Sequence, residues 1–187
     1  ISHQYLIDNS SYTKFTLAAS YVMNSDLIAS ISPETYDPVP YYSQNFTQTK
    51  IAGNFFYKKK FNTKHNLQIR VRFDEFLVHI IDSIYRSTID RYITLTEYDG
   101  NTFLLQPYAQ YQYRVSDKMS LNAGLHYQYL GLNGSSSLEP RAGIKYQINE
   151  KNALSFGYGL HSMMAPIATY FKTVEAGVGN YITPNDS

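Results

Sequence analysis

The chain has 187 residues, with 16 Lys/Arg against 15 Asp/Glu for a formal charge of +1, and it carries 19 Tyr and 10 Phe but no Trp or Cys. A near-neutral balance with basic residues spread along the sequence gives no electrostatic reason to expect nucleic acid, and the missing Cys excludes disulfides and Cys-ligated zinc. No apolar run approaches the roughly 18 residues of a transmembrane helix, whereas Tyr, Phe and Thr favour pleated surfaces, so the composition points to an all-β fold.

Taken in order, residues 1–10 show no period and are expected to be a loop or the approach to a strand. The opening at Ile1, without Met, basic segment or apolar leader, suggests that any signal peptide is removed or was never part of this piece. From Tyr12, Phe15, Leu17, Ala19, Tyr21 and Met23 alternate with Lys14, Thr16, Ala18 and Ser20, a strand period of two. Residues 24–47, with Pro33, Pro38 and Pro40, read as a long loop. Ile51, Gly53, Phe55 and Tyr57 then alternate with Lys50, Ala52 and Asn54, and after a short turn at 61–65 Leu67, Ile69, Val71 and Phe73 alternate with Gln68, Arg70, Arg72 and Asp74. These two segments form a hairpin. Residues 75–82 are apolar on both sides and suggest a bulge or a strand leaving the wall, and 83–102 read as a second long connection closing on a turn at Asp99-Gly100-Asn101.

The cleanest stretch runs from Phe103 to His161. Met119, Leu121, Ala123, Leu125, Tyr127 and Tyr129 oppose Ser120, Asn122, Gly124, His126 and Gln128. Leu138, Pro140, Ala142, Ile144, Tyr146 and Ile148 oppose Glu139, Arg141, Gly143, Lys145 and Gln147, and a last block sets Leu154, Phe156, Tyr158 and Leu160 against Ser155, Gly157, Gly159 and His161. About seven strands result, and no linker splits them. Connections read alternately long and short, as in a meander that crosses a slab with tight turns on one side.

Alternation alone leaves the solvent of each face open. Either the apolar face is the core of a soluble barrel or sandwich, or it faces lipid around a polar lumen. Placement of Tyr21, Tyr57, Tyr111, Tyr113, Tyr127, Tyr129 and Tyr146 on the apolar face toward strand ends favours the membrane arrangement, because a soluble core would have to pair every phenol internally. The expected fold is therefore an antiparallel up-and-down meander that forms part of a transmembrane β-barrel, with Arg70, Arg72, Asp74, Arg114, His126, Glu139, Arg141, Lys145 and His161 facing the lumen. A small complete outer-membrane barrel and a soluble ligand-binding β-barrel or sandwich are the alternatives.

Residues 137–171, SLEPRAGIKYQINEKNALSFGYGLHSMMAPIATYF, carry a specific likeness. The succession S-x-E-P-R, K-Y-Q, N-x-K-x-x-L-S-x-G-Y-G-x-H-S resembles the barrel region of Bacteroidetes-type TonB-dependent outer-membrane receptors. That resemblance implies a large plugged barrel of about 22 strands, of which residues 1–187 would be a partial domain without the plug. It also implies energy-coupled uptake of a ligand, with outer-membrane lipid, the rest of the barrel, the plug and the TonB complex as partners.

No catalytic, cofactor or metal residues are expected. His3, His65, His79, His126 and His161 show no ligand spacing, and no G-x-S-x-G context surrounds a serine. Hydrolases that attack lipid turn their serine and histidine toward it, and the outward-facing residues collected above include neither.

Overall fold

The computed structural model describes residues 1–171 and, as backbone, 174–177 and 180–182. Eight strands, β1 (Ser2–Asp8), β2 (Ser11–Ile31), β3 (Pro38–Lys60), β4 (His65–Arg86), β5 (Arg91–Arg114), β6 (Met119–Leu130), β7 (Ser136–Gln147) and β8 (Ala153–Gly159), form one sheet in chain order, each beside its sequence neighbours. A 3-10 turn at Ile167–Phe171 follows, and β9 (Val174–Gly177) pairs with β10 (Asn180–Ile182) in a separate ribbon. The chain is all-β and antiparallel as the alternation requires, and β1 and β8 are the two edges of the sheet.

Several sequence expectations need correction. Residues 1–10 supply a strand, because Tyr5, Leu6 and their neighbours pair with Thr13 and Tyr12, and the strand count is eight rather than seven. The long loops at 24–47 and 83–102 are strand. β2 and β3 continue to a turn at 32–37, β4 and β5 to one at 87–90, and every connection between β1 and β8 is two to six residues long. The alternation of loop lengths is thus an alternation of strand reach, which prolines at 33, 38 and 40 obscured by clustering about a hairpin tip. Asp99-Gly100-Asn101 lies within β5 and makes no turn. Residues 75–82 do not break phase either, since β4 is continuous and buries its even residues from Asp74 through Asp82.

The chain folds as two compact units: residues 1–19, 51–75 and 103–163 make up the first, and residues 20–50, 76–102 and 164–187 the second. In the first, β2 to β7 contribute nine to twelve residues each, close to the 9–11 with which a tilted strand crosses a bilayer. Its burial is largely inverted, with Leu104 and Leu130 as buried apolar exceptions. Phe15, Leu17, Ile51, Phe55, Tyr111, Leu125 (46%), Ile144, Leu154 and Phe156 (71%) are exposed, while Glu139 (1%) and Asp74 are buried. Cross-strand partners share a face, and the register lines up Tyr111–Ala123–Ala142–Tyr158 on the apolar face and Arg114–Ser120–Lys145–Ser155 on the polar one.

The second unit encloses an apolar cluster, with Asp82, Ser83 and Thr102 buried as well and Leu27, Ile28 and Ile31 of β2 exposed. Phe46, Phe76, Val78, Ile80 (0%), Ile167 and Phe171 are buried, and Phe171 stacks on Tyr98 at 4.3 Å while its carbonyl accepts from Thr96 Oγ1. Its two hairpin tips place Tyr36 (φ 60°) and Asp90 (φ 50°) in the left-handed region. Asp tolerates that conformation, and the Tyr85 hydroxyl donates to the Asp90 carboxylate across the turn.

Candidate functional site

Most of the nine residues expected to line a lumen fall in two groups on the polar face of the first unit. Tyr108, His126 and Glu139 stand opposite one another on β5, β6 and β7, so the sheet register alone brings an imidazole against a carboxylate. His126 Nδ1 lies 3.0 Å from Glu139 Oε2, and Arg141 Nη2 donates to the same oxygen at 2.7 Å. The other oxygen, Oε1, accepts from the Ser162 backbone N–H at 2.8 Å and from its hydroxyl at 2.5 Å. A buried carboxylate is stable only when its lone pairs are filled, and here four donors from three chain segments fill them. In doing so Glu139 ties the segment after β8 to the wall.

Arg141 also lies 6.0 Å over the Tyr108 ring, within cation–π reach. Its stem runs across Gly159, where a Cβ would come within 3.0 Å of Arg141 Cγ and 3.4 Å of His161 Nε2. Glycine at 159 is what lets this stem lie flat. His161 therefore shares the Arg141 neighbourhood although it falls two residues beyond the end of β8.

The Arg72 guanidinium Nε donates to both oxygens of Asp74 at 3.1 Å. Arg70 has no carboxylate among the described residues and instead lies 5.6 Å over the Phe56 ring. With Arg141, His126 and the amides of Gln68 and Gln106, these two arginines border a polar hollow of about 440 Å3. Arg114 and Lys145 fall apart from that group, around a second polar hollow of about 280 Å3 nearer the 115–118 turn.

A third hollow, about 590 Å3, lies on the apolar face, where Tyr111, Tyr113, Ile144, Phe156 and Tyr158 rise on either side of Ala123 and Ala142. Its one ionisable imidazole is His65, whose Nδ1 meets the Tyr111 hydroxyl at 2.5 Å and whose ring stacks on Tyr113 at 4.8 Å. The expectation that no histidine faces outward is thereby corrected. His65 opens β4 in the same phase as Leu67 and Ile69, and the alternation would have shown it had the strand been started one residue pair earlier. On the polar face, the Ser162 hydroxyl is bound by Glu139 rather than by an imidazole base. Among the described residues no group of three His, Asp or Glu side chains is placed to hold a metal ion.

Sequence reasoning missed Ser162, Tyr108 and Lys118. Tyr108 falls in phase with Gln110, Gln112 and Arg114 and was legible. Ser162 lies past the end of the period and Lys118 in a turn, where alternation gives no direction. Basic residues that look dispersed along the sequence are gathered by the fold. Lys58, Lys59, Lys60, Lys64, Arg114, Lys118, Lys145 and Lys151 all lie within three residues of the turns at 61–64, 115–118 and 148–152. Asp8, at the neighbouring 9–10 turn, pairs with Lys59 at 2.9 Å. Compared with known protein families, with curated proteins and with solved structures, the chain matches none.

Proposed function

We propose that this chain is part of the wall of an outer-membrane β-barrel of the TonB-dependent receptor type, which takes up a ligand with energy supplied from elsewhere and performs no catalysis itself. The observation that carries the reading is the inverted burial of the first unit. Leu138, Leu154, Phe156 and Tyr158 stand in the open while Glu139 and Asp74 are enclosed, a distribution that water penalises and lipid rewards. Strand portions of bilayer length, tyrosines toward the ends of β5, β6 and β7, and the two unpaired edges support the same reading, because a sheet in lipid must satisfy its edges by closing with further strands. The polar face would line the lumen, where the Arg70–Arg72–Arg141 hollow meets a plug or a passing ligand. Short turns at 61–64, 115–118 and 148–152 would lie on the periplasmic side.

Fractionation tests the location. The full-length protein is expected in the outer-membrane pellet, released by detergent and running with heat-modifiable mobility on gels. Its recovery in a detergent-free soluble fraction would sink the proposal.

An eight-strand count also favours a second reading, a small complete barrel in which β1 pairs with β8. The absence of Cys makes this easy to test. A Tyr5→Cys/Phe156→Cys pair in the membrane-embedded protein would form a disulfide only if those edges meet, since bridged residues must lie within about 7 Å of each other. The receptor-wall reading expects free thiols.

A further inference from the structure

The polar row nearest the short turns carries cations without a counter-charge. Arg114 on β5 stands opposite Ser120 on β6, which stands opposite Lys145 on β7, and Ser155 on β8 completes the row. Lys118, the last residue of the 115–118 turn, joins Arg114, Ser120 and Lys145 around one polar hollow of about 280 Å3, whose single acid is Asp117. Among the described residues Arg114, Lys118 and Lys145 make no ion pair, with Asp117 or with any other carboxylate. The contrast with Arg72 and Arg141 on the same face is plain, since each of those has an internal carboxylate.

Neighbouring strands lie about 4.8 Å apart, so the Arg114 and Lys145 backbones are separated by roughly 10 Å, and both side chains are long enough to converge over Ser120. Like charges held at this range repel, within or near the screening length at physiological salt. An anion between them removes the repulsion and accepts charge-assisted hydrogen bonds from a guanidinium fork and two ammonium groups, with the Ser120 hydroxyl beneath. Gln112 at the rim adds an amide donor, whereas the Gln147 amide is taken up by the Asn149 and Asn152 carbonyls, and the lining offers no aromatic face on which a ring could stack. That donor set suits a compact tetrahedral oxyanion better than an aromatic or acyl ligand.

We propose that the hollow bounded by Arg114, Lys118, Ser120 and Lys145 is a binding site for a phosphate-type oxyanion, either inorganic phosphate or the phosphate group of a small soluble ester. The proposal rests on reading the polar face as a lumen, which is what brings a soluble ligand to it.

Calorimetric titration of the full-length protein in detergent, with inorganic phosphate in one arm and glycerol phosphate in the other, tests it. Saturable binding of one phosphate is expected in at least one arm, and which arm binds more tightly identifies the source. Arg114→Gln and Lys145→Gln should each weaken binding about tenfold or more, as loss of a charged hydrogen bond does, and Lys118→Gln, in a turn where folding is least at risk, should weaken it as well. Lys151→Gln removes a charge from a neighbouring turn outside the hollow and should leave binding unchanged. Heat-modifiable mobility confirms that each variant is folded. No saturable binding in either arm overturns the proposal, as does an equal loss in Lys151→Gln, which would reduce the effect to net charge. A soluble full-length protein would instead refute the membrane reading and is seen before any titration.

Discussion

The two units obey opposite rules with the same strands. In the first, Arg70, Arg72, Asp74, Glu139 and Arg141 occupy the face that a soluble protein would fill with its core, and phenylalanines and leucines are left outside. In the second, Phe76, Val78 and Ile80 are enclosed. Charge divides the same way. The first unit holds twelve Lys/Arg against six Asp/Glu, the second four against nine, and the formal +1 of the chain conceals both. What the difference teaches is that one strand can serve both arrangements, since the even residues of β4 are charged at Arg70, Arg72 and Asp74 and apolar at Phe76, Val78 and Ile80. On the proposed reading, the polar inward face of the first unit goes with an outer face in lipid, and the apolar inward face of the second with an outer face in water.

The comparison can be broken or sharpened by substitution in the full-length protein, read as thermal stability in detergent. Ile80→Ala should have the largest effect, about 2–5 kcal/mol, because the second unit depends on an ordinary packed core. Leu125→Arg, near the middle of β6 on the exposed apolar face, should cost about 2–4 kcal/mol in a bilayer. In water the same change at a half-exposed position would be nearly neutral, so a negligible cost would break the lipid reading. Glu139→Ala should cost about 1–3 kcal/mol by stranding the donors of His126, Arg141 and Ser162, and protease cleavage after β8 should become easier as Ser162 is released.

Tyr42→Phe in the second unit should have the smallest effect, about 1 kcal/mol for one hydrogen bond. Burial, with the Asp82 hydrogen bond and the negative charges of Asp82 and Asp26, pushes the Tyr42 phenol well above its ordinary value. A raised value means that the stabilisation is complete below the unfolded phenol value of about 10 and is lost as pH rises through the folded one. The wild type should therefore lose stability relative to Tyr42→Phe only in strong alkali, and a difference that appears at neutral pH would assign the effect to another group.

Much of the sheet was legible because period two needs only neighbouring residues. From Tyr108 to Tyr158 most pairing rows keep their apolar and polar members on separate faces, and Arg70, Arg72, Arg114, Glu139, Arg141 and Lys145 fell where alternation put them. The distal halves of β2 to β5 were not legible, for a physical reason. Leu27, Ile28 and Ile31 are exposed on both faces of β2 and leave no period to find, and in β4 the switch from charged to apolar even residues after Asp74 looks like a change of phase. Ser162 and Lys118 were hidden because each acts from outside the strands, where only three-dimensional proximity to Glu139 or Arg114 gives it a role.

The unbroken run of β4 also bears on heredity. A one-residue insertion or deletion between Leu67 and Ile81 would turn every side chain beyond it to the opposite face, sending Arg72 and Asp74 to the apolar face or Ile80 out of its core. Both halves would fail together, though they bury different side chains. Point changes in this strand can be absorbed one at a time, whereas length changes should survive in a population only at the hairpin tips, 32–37 and 87–90, so related chains should vary there in loop size and hold β4 at constant length.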